Sequence, residues 1–169
     1  MAHRKIYDDE AHVHFMTFSC YKRRRLLDTD QAKRLMVGVL GAKLAAQKGK
    51  CIRFVIMPNH VHSLVWFPEP RQSSCFLQQW KQRTSVLLKE YLSSFLKNYA
   101  QQFSLDEPIW QPRSYDFNVF TEKKLLEKLA YIHNNPVRAR LVEDPCDWAF
   151  SSARFYFQGK SVGLPVGMI

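Results

Sequence analysis

Residues 54–66 read FVIMPNHVHSLVW: an apolar run, a Pro-Asn turn, and a second apolar run that opens with two histidines. Two such runs joined by a tight turn predict neighbouring antiparallel strands. Alternate residues of a strand point to one face, so the imidazoles of His60 and His62 are expected about 6 to 7 Å apart along the strand. That spacing lets the two side chains share one metal ion. It also fits two half-buried histidines that each make an ordinary hydrogen bond.

The flanking sequence predicts an α+β fold. Aromatic and β-branched stretches indicate strands, and apolar residues at helical spacing indicate helices, with Asp28 or Thr29 as the first cap and Thr121 as the last. Pro112 interrupts the fourth strand, which is therefore expected at a sheet edge. Strands are predicted at 12–21, 51–57, 60–67 and 109–120, and helices at 29–48, 73–99 and 121–136. This order is that of a ferredoxin-like βαββαβ sandwich with an antiparallel sheet.

The composition indicates one domain with a polyanionic partner. The 169 residues suffice for a single core, centred on residues 12–136, with residues 137–169 as a tail packed on it. The net charge of +10 favours a polyanionic partner over an acidic small molecule, although charge alone does not distinguish nucleic acid, a membrane surface and simple solubility. No apolar run of about 18 residues and no signal-like segment is present, so a cytoplasmic protein without membrane contact is expected. The 4 cysteines are widely spaced and predict neither a zinc ribbon nor a disulfide framework.

The tail itself carries few signals. Trp148 and Phe150 are expected to pack against the body of the protein. The tail beyond Pro136 is expected to be irregular, and residues 163–167 (GLPVG) are expected to stay loose at its end.

Four short motifs resemble those of a known family. Residues 57–62 (MPNHVH) look like the histidine motif of the HUH endonucleases, and residues 131–137 (YIHNNPV) resemble their tyrosine-helix motif. Residues 110–113 (WQPR) and 148–152 (WAFSS) resemble two further signatures, in the family's order. The chain thus resembles the REP-associated tyrosine transposases, which are HUH endonucleases of the Y1 transposase type. The resemblance implies a ferredoxin-like fold with an added C-terminal helix that bears the tyrosine.

The resemblance also implies a site and a reaction. Tyr131 would be the catalytic nucleophile, while His60, His62 and Asn135 would hold a divalent metal ion, Mg²⁺ or Mn²⁺. Asn135 follows Tyr131 by four residues and therefore shares its helix face. His133 points about 200° away from Tyr131 around the helix, so it is a poorer ligand, although it could still contact DNA. Such enzymes cut single-stranded DNA at hairpin-forming repeats, leave a 5′-phosphotyrosine and a free 3′-OH, and rejoin the strand to another end. No nucleotide cofactor is needed, because the phosphotyrosine stores the bond energy.

Six basic residues are candidate DNA contacts. Three belong to the run 22–25 (KRRR), which is either a solvated loop or a phosphate contact. Two lie in the second helix, where a solvated polar face is the simpler interpretation, although the resemblance points to a lysine near position 81 as a DNA contact. The last, in the WQPR motif, either faces DNA or is an ordinary strand residue. The six are Arg23, Arg24, Arg25, Lys81, Arg83 and Arg113.

A second His-x-His pair, His12 and His14, has the same spacing as the first. It stands at the start of the first predicted strand, where packing or surface hydrogen bonding is the expected role. Two residues also depart from the family pattern. Ser63 stands where an apolar residue is expected, and Arg140 where a glycine is expected.

Two other functions stay open on the residues alone. One is a nucleic-acid-binding module that keeps the fold and charge but does not cut. The other is a metal-dependent phosphodiesterase that uses water, with Tyr131 incidental. DNA, single-stranded or in hairpin-forming repeats, is the expected partner, and the protein is expected to act as a monomer or a homodimer.

Overall fold

A four-stranded antiparallel sheet forms the centre of the protein. The computed structural model describes residues 13–95, 97–101 and 104–168. The strands are β1 (Val13–Ser19), β2 (Lys50–Ile56), β3 (His60–Trp66) and β4 (Tyr115–Val119), in the spatial order β2-β3-β1-β4. Every neighbouring pair is antiparallel. This is the ferredoxin-like order, so the predicted fold class is confirmed.

Helices cover both faces of the sheet. α1 (Asp30–Ala46) and α2 (Gln72–Phe95) pack on one face, and α4 (Glu122–Arg138) packs on the other. The short α3 (Lys97–Ala100) follows α2, and α5 (Ala153–Gln158) lies in the tail. Thr29 and Thr121 cap α1 and α4, each accepting a hydrogen bond of 3.2 Å from a backbone N–H three residues on.

The sheet separates two hydrophobic cores, and strand alternation decides which residues enter each. On β3, Val61 and Val65 belong to the core beneath α1 and α2, whereas Leu64 belongs to the core beneath α4. His60 and His62 have the parity of Leu64. Both histidines therefore face α4.

The fourth strand is shorter than predicted. Its pairing with β1 ends at Thr17–Tyr115, and the next bridge joins Cys20 to Trp110. Between these two pairs, residues 111–114 lie opposite only residues 18–19 of β1, so the longer segment forms a bulge in the ladder. Pro112 has no N–H to donate to the ladder, which is the physical reason for the interruption. The strand does lie at a sheet edge, as predicted.

The last large helix is longer than predicted. α4 continues through Pro136 to Arg138, although a proline inside a helix removes one backbone hydrogen bond. The carbonyl oxygen of Asn135 still accepts a bond of 3.0 Å from the N–H of Ala139. Asn135 therefore keeps the helix face that it shares with Tyr131.

The tail is more ordered than predicted. Phe150 accepts a 2.8 Å hydrogen bond from the N–H of Ile56, so the segment 150–152 lies along the outer edge of β2. The expectation of a loose 163–167 segment is wrong, because Val166 forms a parallel bridge with Cys51 and Leu164 is buried. Pairing of this kind covers a sheet edge that would otherwise expose unpaired N–H and C=O groups.

The cysteines are free thiols in the part of the chain that the structure describes. Cys20 and Cys51 are buried, and burial raises the pKa of Cys20 to about 12 and also raises the pKa of Cys51, so neither is a thiolate at neutral pH. Across residues 13–95, 97–101 and 104–168, no helix has the length and apolar content needed to cross a membrane.

Candidate active site

The two histidines of β3 meet edge to face on the α4 side of the sheet. Their ring centroids are 4.8 Å apart with an interplanar angle of 77°. His62 is buried and His60 is half-buried. Because β3 is flanked by β2 and β1, the pair is held on the interior of the sheet rather than at its edge.

Hydrogen bonds fix the orientation of both rings. Nδ1 of His60 lies 2.6 Å from Oδ1 of Asn59, which can only accept, so this nitrogen carries the proton. Nδ1 of His62 lies 2.6 Å from the hydroxyl of Thr17 on β1, which can accept in the same way. Both Nε2 atoms then present lone pairs. This is the arrangement that metal-bound histidines adopt.

Asn135 closes the site from the opposite side. Its Oδ1 is 3.2 Å from Nε2 of His60, and its Nδ2 is 3.2 Å from Nε2 of His62. The three predicted ligands, separated by up to 75 residues in the sequence, therefore converge on one point. The assignment of Asn135 as a ligand stays a prediction, but its amide reaches both rings.

The donor set fits a divalent cation. With His60 neutral, its Nε2 lone pair faces the Asn135 oxygen, and two acceptors at this distance repel each other unless a cation or proton lies between them. Two imidazole nitrogens and one amide oxygen suit Mn²⁺ and are compatible with Mg²⁺. Within the described ranges, no cluster of three or more His, Cys, Asp or Glu side chains could hold a metal ion, so the candidate centre depends on this amide.

Burial keeps the two imidazoles neutral. Burial lowers the pKa of His62 to about 3, and the nearby charges of His60, Lys128 and Arg23 lower it further. Burial also lowers the pKa of His60, with a smaller opposing effect from the Asn135 oxygen, which accepts a hydrogen bond only from the protonated ring. Neutral imidazole is the form that binds metal, so no proton has to leave at neutral pH.

Tyr131 lies next to the histidine pair. Its ring is half-buried, with its centroid 5.1 Å from that of His62 and 6.1 Å from that of Phe15. Two cations flank the same ring, at 5.6 Å for Nζ of Lys128 and 5.3 Å for Cζ of Arg138. Sequence reasoning missed both cations. Their spacing from Tyr131 along α4 was the signal that could have identified them.

His133 does not belong to this cluster. It is buried, its Nε2 lies 2.8 Å from the hydroxyl of Ser152, and its Nδ1 lies 3.3 Å from Nη1 of Arg53. The same Arg53 nitrogen donates to the carbonyl of Leu129 at 2.9 Å. The suggestion that His133 contacts DNA is therefore wrong, because burial leaves its ring no access to a ligand. It instead fastens α4 to β2 and to the tail.

Two of the six candidate DNA contacts line one groove beside the site. Arg23 and Arg113 are exposed, and both line a groove of about 570 Å³ that begins at Thr17 and follows residues 111–115. Nη1 of Arg23 donates to the Ser19 hydroxyl at 2.7 Å. Thr17 also contacts His62, so the groove borders the residues that hold the histidine pair.

The other four candidates lie in different settings. Arg24 forms an ion pair with Glu107, and Arg25 pairs with Asp28 at 2.7 and 2.9 Å. Lys81 is half-buried, and burial lowers its pKa while its Nζ donates to the Gln111 carbonyl at 2.9 Å. Arg83 is exposed on α2, two residues and hence about 200° away from Lys81 around the helix. The structure does not bring these four together with the histidine pair.

Both tryptophan motifs are structural supports for the site. Trp110 packs edge to face on Phe18 and donates its indole N–H to the Lys81 carbonyl at 3.0 Å, which fixes the loop that forms the groove. Trp148 donates to the Ile56 carbonyl at 3.0 Å and packs in the core beneath α4.

Of the second His-x-His pair, only His14 belongs to the residues that the structure describes, and its ring is bonded to a carboxylate. His14 lies on β1 with the side chain toward the α1 and α2 layer, where its Nδ1 is 3.0 Å from a carboxylate oxygen of Asp116. His12 lies outside the described residues.

Comparison with known proteins identifies the family of the chain. A family model described as IS200-like transposase matches residues 8–135, which include the histidine pair, Tyr131 and Asn135. The REP-associated tyrosine transposase of Escherichia coli is 27% identical over 139 residues, covering 82% of this chain and 74% of that protein. A Haemophilus influenzae protein assigned to the same group is 28% identical over 131 residues, covering 73% of each chain.

A solved structure of a REP-associated tyrosine transposase bound to a REP hairpin has the same fold. It matches with a TM-score of 0.72 and 20% identity, covering all of this chain and 94% of that one. The resemblance that four motifs indicated is thereby confirmed at the level of the family. The chain belongs to the IS200-like transposase family, a family of enzymes.

Proposed function

We propose that this protein cuts and rejoins single-stranded DNA at hairpin-forming repeats, with Tyr131 as nucleophile. One observation carries the proposal: the Nε2 atoms of His60 and His62 and the amide of Asn135 converge beside the Tyr131 ring. The hairpin substrate follows from the relative that was solved with a REP hairpin. A role on DNA also implies a cytoplasmic location.

The reaction is an exchange of one phosphate ester for another. The phenol oxygen of Tyr131 attacks the phosphorus, and the bond between phosphorus and the 3′-oxygen breaks. The phenol releases its proton, and the departing 3′-oxygen takes up a proton to become a free 3′-OH. The product is a 5′-phosphotyrosine, which a second 3′-OH can attack to reseal the strand. A Mg²⁺ or Mn²⁺ ion held by the three ligands would polarise the phosphate oxygens.

The chain's own residues prepare this step. Asn59 and Thr17 hold the two imidazoles with their Nε2 atoms toward Asn135. Phe15 stacks on His62 at 5.6 Å and meets Tyr131 edge to face, which sets the position of the nucleophile against the ligands. The groove lined by Arg23 and Arg113 would receive the strand that leads to the phosphate.

A covalent-adduct assay tests the proposal. The purified protein would be incubated with Mn²⁺ and end-labelled single-stranded DNA from hairpin repeats flanking its own gene, then resolved on a denaturing protein gel. The Tyr131→Phe variant should lose the labelled protein band. Tyr91→Phe is the matched control, since Tyr91 is also half-buried but packs against the core beneath α1 and α2, away from the groove, and should keep the band.

Other outcomes identify the competing functions. Nicked DNA without a labelled band, unaffected by Tyr131→Phe, would indicate a hydrolase that uses water. Tight binding without cleavage would indicate a binding module. Whether one copy or two act on each strand can be read from the mass of the DNA complex by sedimentation.

A further inference from the structure

Two cations accompany Tyr131 along one face of α4. Lys128 precedes Tyr131 by three residues and Arg138 follows it by seven, and residues at these spacings share a helix face. Nζ of Lys128 lies 5.6 Å from the ring centroid of Tyr131, and Cζ of Arg138 lies 5.3 Å from it. The ring of the nucleophile in the proposed reaction therefore has two positive charges beside it.

Aromatic packing holds the first of these charges close to the candidate metal centre. Nζ of Lys128 lies 4.6 Å from the ring centroid of Phe15, and Phe15 stacks on His62 at 5.6 Å with an interplanar angle of 16°. Cation–π contact of this kind stabilises an ammonium group at a defined position. Lys128 is thus fixed against the same ring that supports His62.

Neither cation is neutralised within the described part of the chain. Among residues 13–95, 97–101 and 104–168, no carboxylate lies within ion-pair distance of Lys128 or Arg138, whereas Lys124 on the same helix pairs with Glu127 at 2.9 Å. Lys22 and Arg24 are likewise paired, with Glu107. Two cations beside a nucleophile and without a carboxylate partner form a preorganised site for an anion.

We propose that Lys128 and Arg138 bind the non-bridging oxygens of the phosphate that Tyr131 attacks. The inference rests on the proposed function and extends it to a phosphate-binding pair beside the His60, His62 and Asn135 cluster. The substrate diester and the phosphotyrosine each carry one negative charge, and the charge brought by the attacking phenolate is shared with the non-bridging oxygens in the transition state. The two cations can therefore hold the substrate diester and the phosphotyrosine alike, which favours both cutting and rejoining.

Single-turnover formation of the covalent adduct tests the proposal. Lys128→Met and Arg138→Gln should each slow the reaction about 10- to 100-fold, at or below the range seen when one preorganised donor is lost. Lys128→Arg and Arg138→Lys should restore most of the rate. Lys124→Met, which removes a paired lysine from the same helix, should leave it unchanged. Thermal unfolding of each variant checks that α4 remains folded.

A neutral phosphate analogue shows whether the contact is to the reacting phosphate. With a methylphosphonate at the linkage that the wild-type protein cuts, Lys128→Met and Arg138→Gln should slow the reaction little further. The same loss on the analogue as on the natural diester would overturn the proposal, and so would full activity of both variants. With either of these outcomes, formation of the adduct by the wild-type protein would still support the proposed function. Failure of the wild-type protein to form any adduct would instead refute the proposed function, and this inference with it.

Equilibrium binding gives a second, activity-independent readout. In a Tyr131→Phe background with EDTA, loss of a phosphate contact should reduce the slope of log affinity against log salt concentration by about 1 for each variant. An unchanged slope for both would also contradict the proposal.

Discussion

Replacing Ser63 by alanine should stabilise the protein. Ser63 lies fully buried in the central strand β3, on the face toward α1 and α2, and is paired with Met16 of β1 and Phe54 of β2. Its hydroxyl has no hydrogen-bond partner among the residues that the structure describes. The position is the one where an apolar residue is expected from the family pattern.

The magnitude follows from the missing partner. Burying a hydroxyl without a hydrogen bond costs about 1–3 kcal/mol, and alanine removes that cost while deleting only the oxygen. We therefore expect the free energy of unfolding to rise by about 1 kcal/mol. For a chain of this length such a gain raises Tm by about 2–4 °C.

Ser152 is the matched control, because it is equally buried but fully bonded. Its Oγ accepts from the N–H of Phe54 at 3.0 Å and lies 2.8 Å from Nε2 of His133. Ser152→Ala makes the same chemical change but leaves two buried groups without a partner. It should lower the free energy of unfolding by about 1–3 kcal/mol, the opposite sign to Ser63→Ala.

Urea-induced unfolding followed by circular dichroism measures both variants against the wild type. The midpoint should shift upward for Ser63→Ala and downward for Ser152→Ala, at an unchanged dependence of stability on urea. A downward shift for Ser63→Ala as large as that for Ser152→Ala would refute the reasoning, because it would mean that the Ser63 hydroxyl is bonded in the folded protein.

Three further changes test other parts of the structure. Arg140 has φ 57°, a left-handed conformation that strains any residue with a Cβ atom. Arg140→Gly should therefore raise the free energy of unfolding by up to about 1 kcal/mol in the same urea assay, and a decrease would show that the backbone is not strained at this position. Burial lowers the pKa of His62 and of His133 from 6.5 to about 3, so between these pH values the unfolded, metal-free chain binds more protons than the folded protein. The free energy of unfolding should therefore be at its full value above pH 6.5 and fall by up to about 1.4 kcal/mol per pH unit per histidine as the pH drops toward 3. Equal urea midpoints at about pH 7.5 and about pH 5 would contradict this pH dependence. Thr17→Val removes the hydroxyl that orients His62, so Mn²⁺ affinity in titration calorimetry should fall about 10- to 100-fold, and an unchanged affinity would show that this ring needs no such support.

Several features of the site could be predicted because they are local. Alternation along β3 places His60 and His62 on one face whatever surrounds them. The four-residue spacing of Tyr131 and Asn135 places both on one face of α4. The bulge opposite β1 was harder to predict. Pro112 indicated that strand pairing stops, but it did not indicate which residues would line the resulting groove.

Charge assignments from sequence were the least certain part. Arg24 and Arg25 belong to the most basic run of the chain, yet both form ion pairs, whereas Lys128 is without a carboxylate partner in the described residues. A run of basic residues in the sequence shows the local net charge, but it does not show which carboxylates will pair with those residues. Glu107, which pairs with Arg24, follows it by more than eighty positions and comes close only when the chain folds.

The sequence by itself determined the order of strands and helices, the pairing of the histidines on one strand face, and the spacing of the residues on the tyrosine helix, because each depends on the period of a single element. Only the tertiary structure decided that the tyrosine helix packs on the sheet face toward which His60 and His62 point. That choice brings Asn135 within 3.2 Å of rings more than seventy residues away. Its physical cause is the burial of Leu129 and Ile132 against the second core, which no local period encodes.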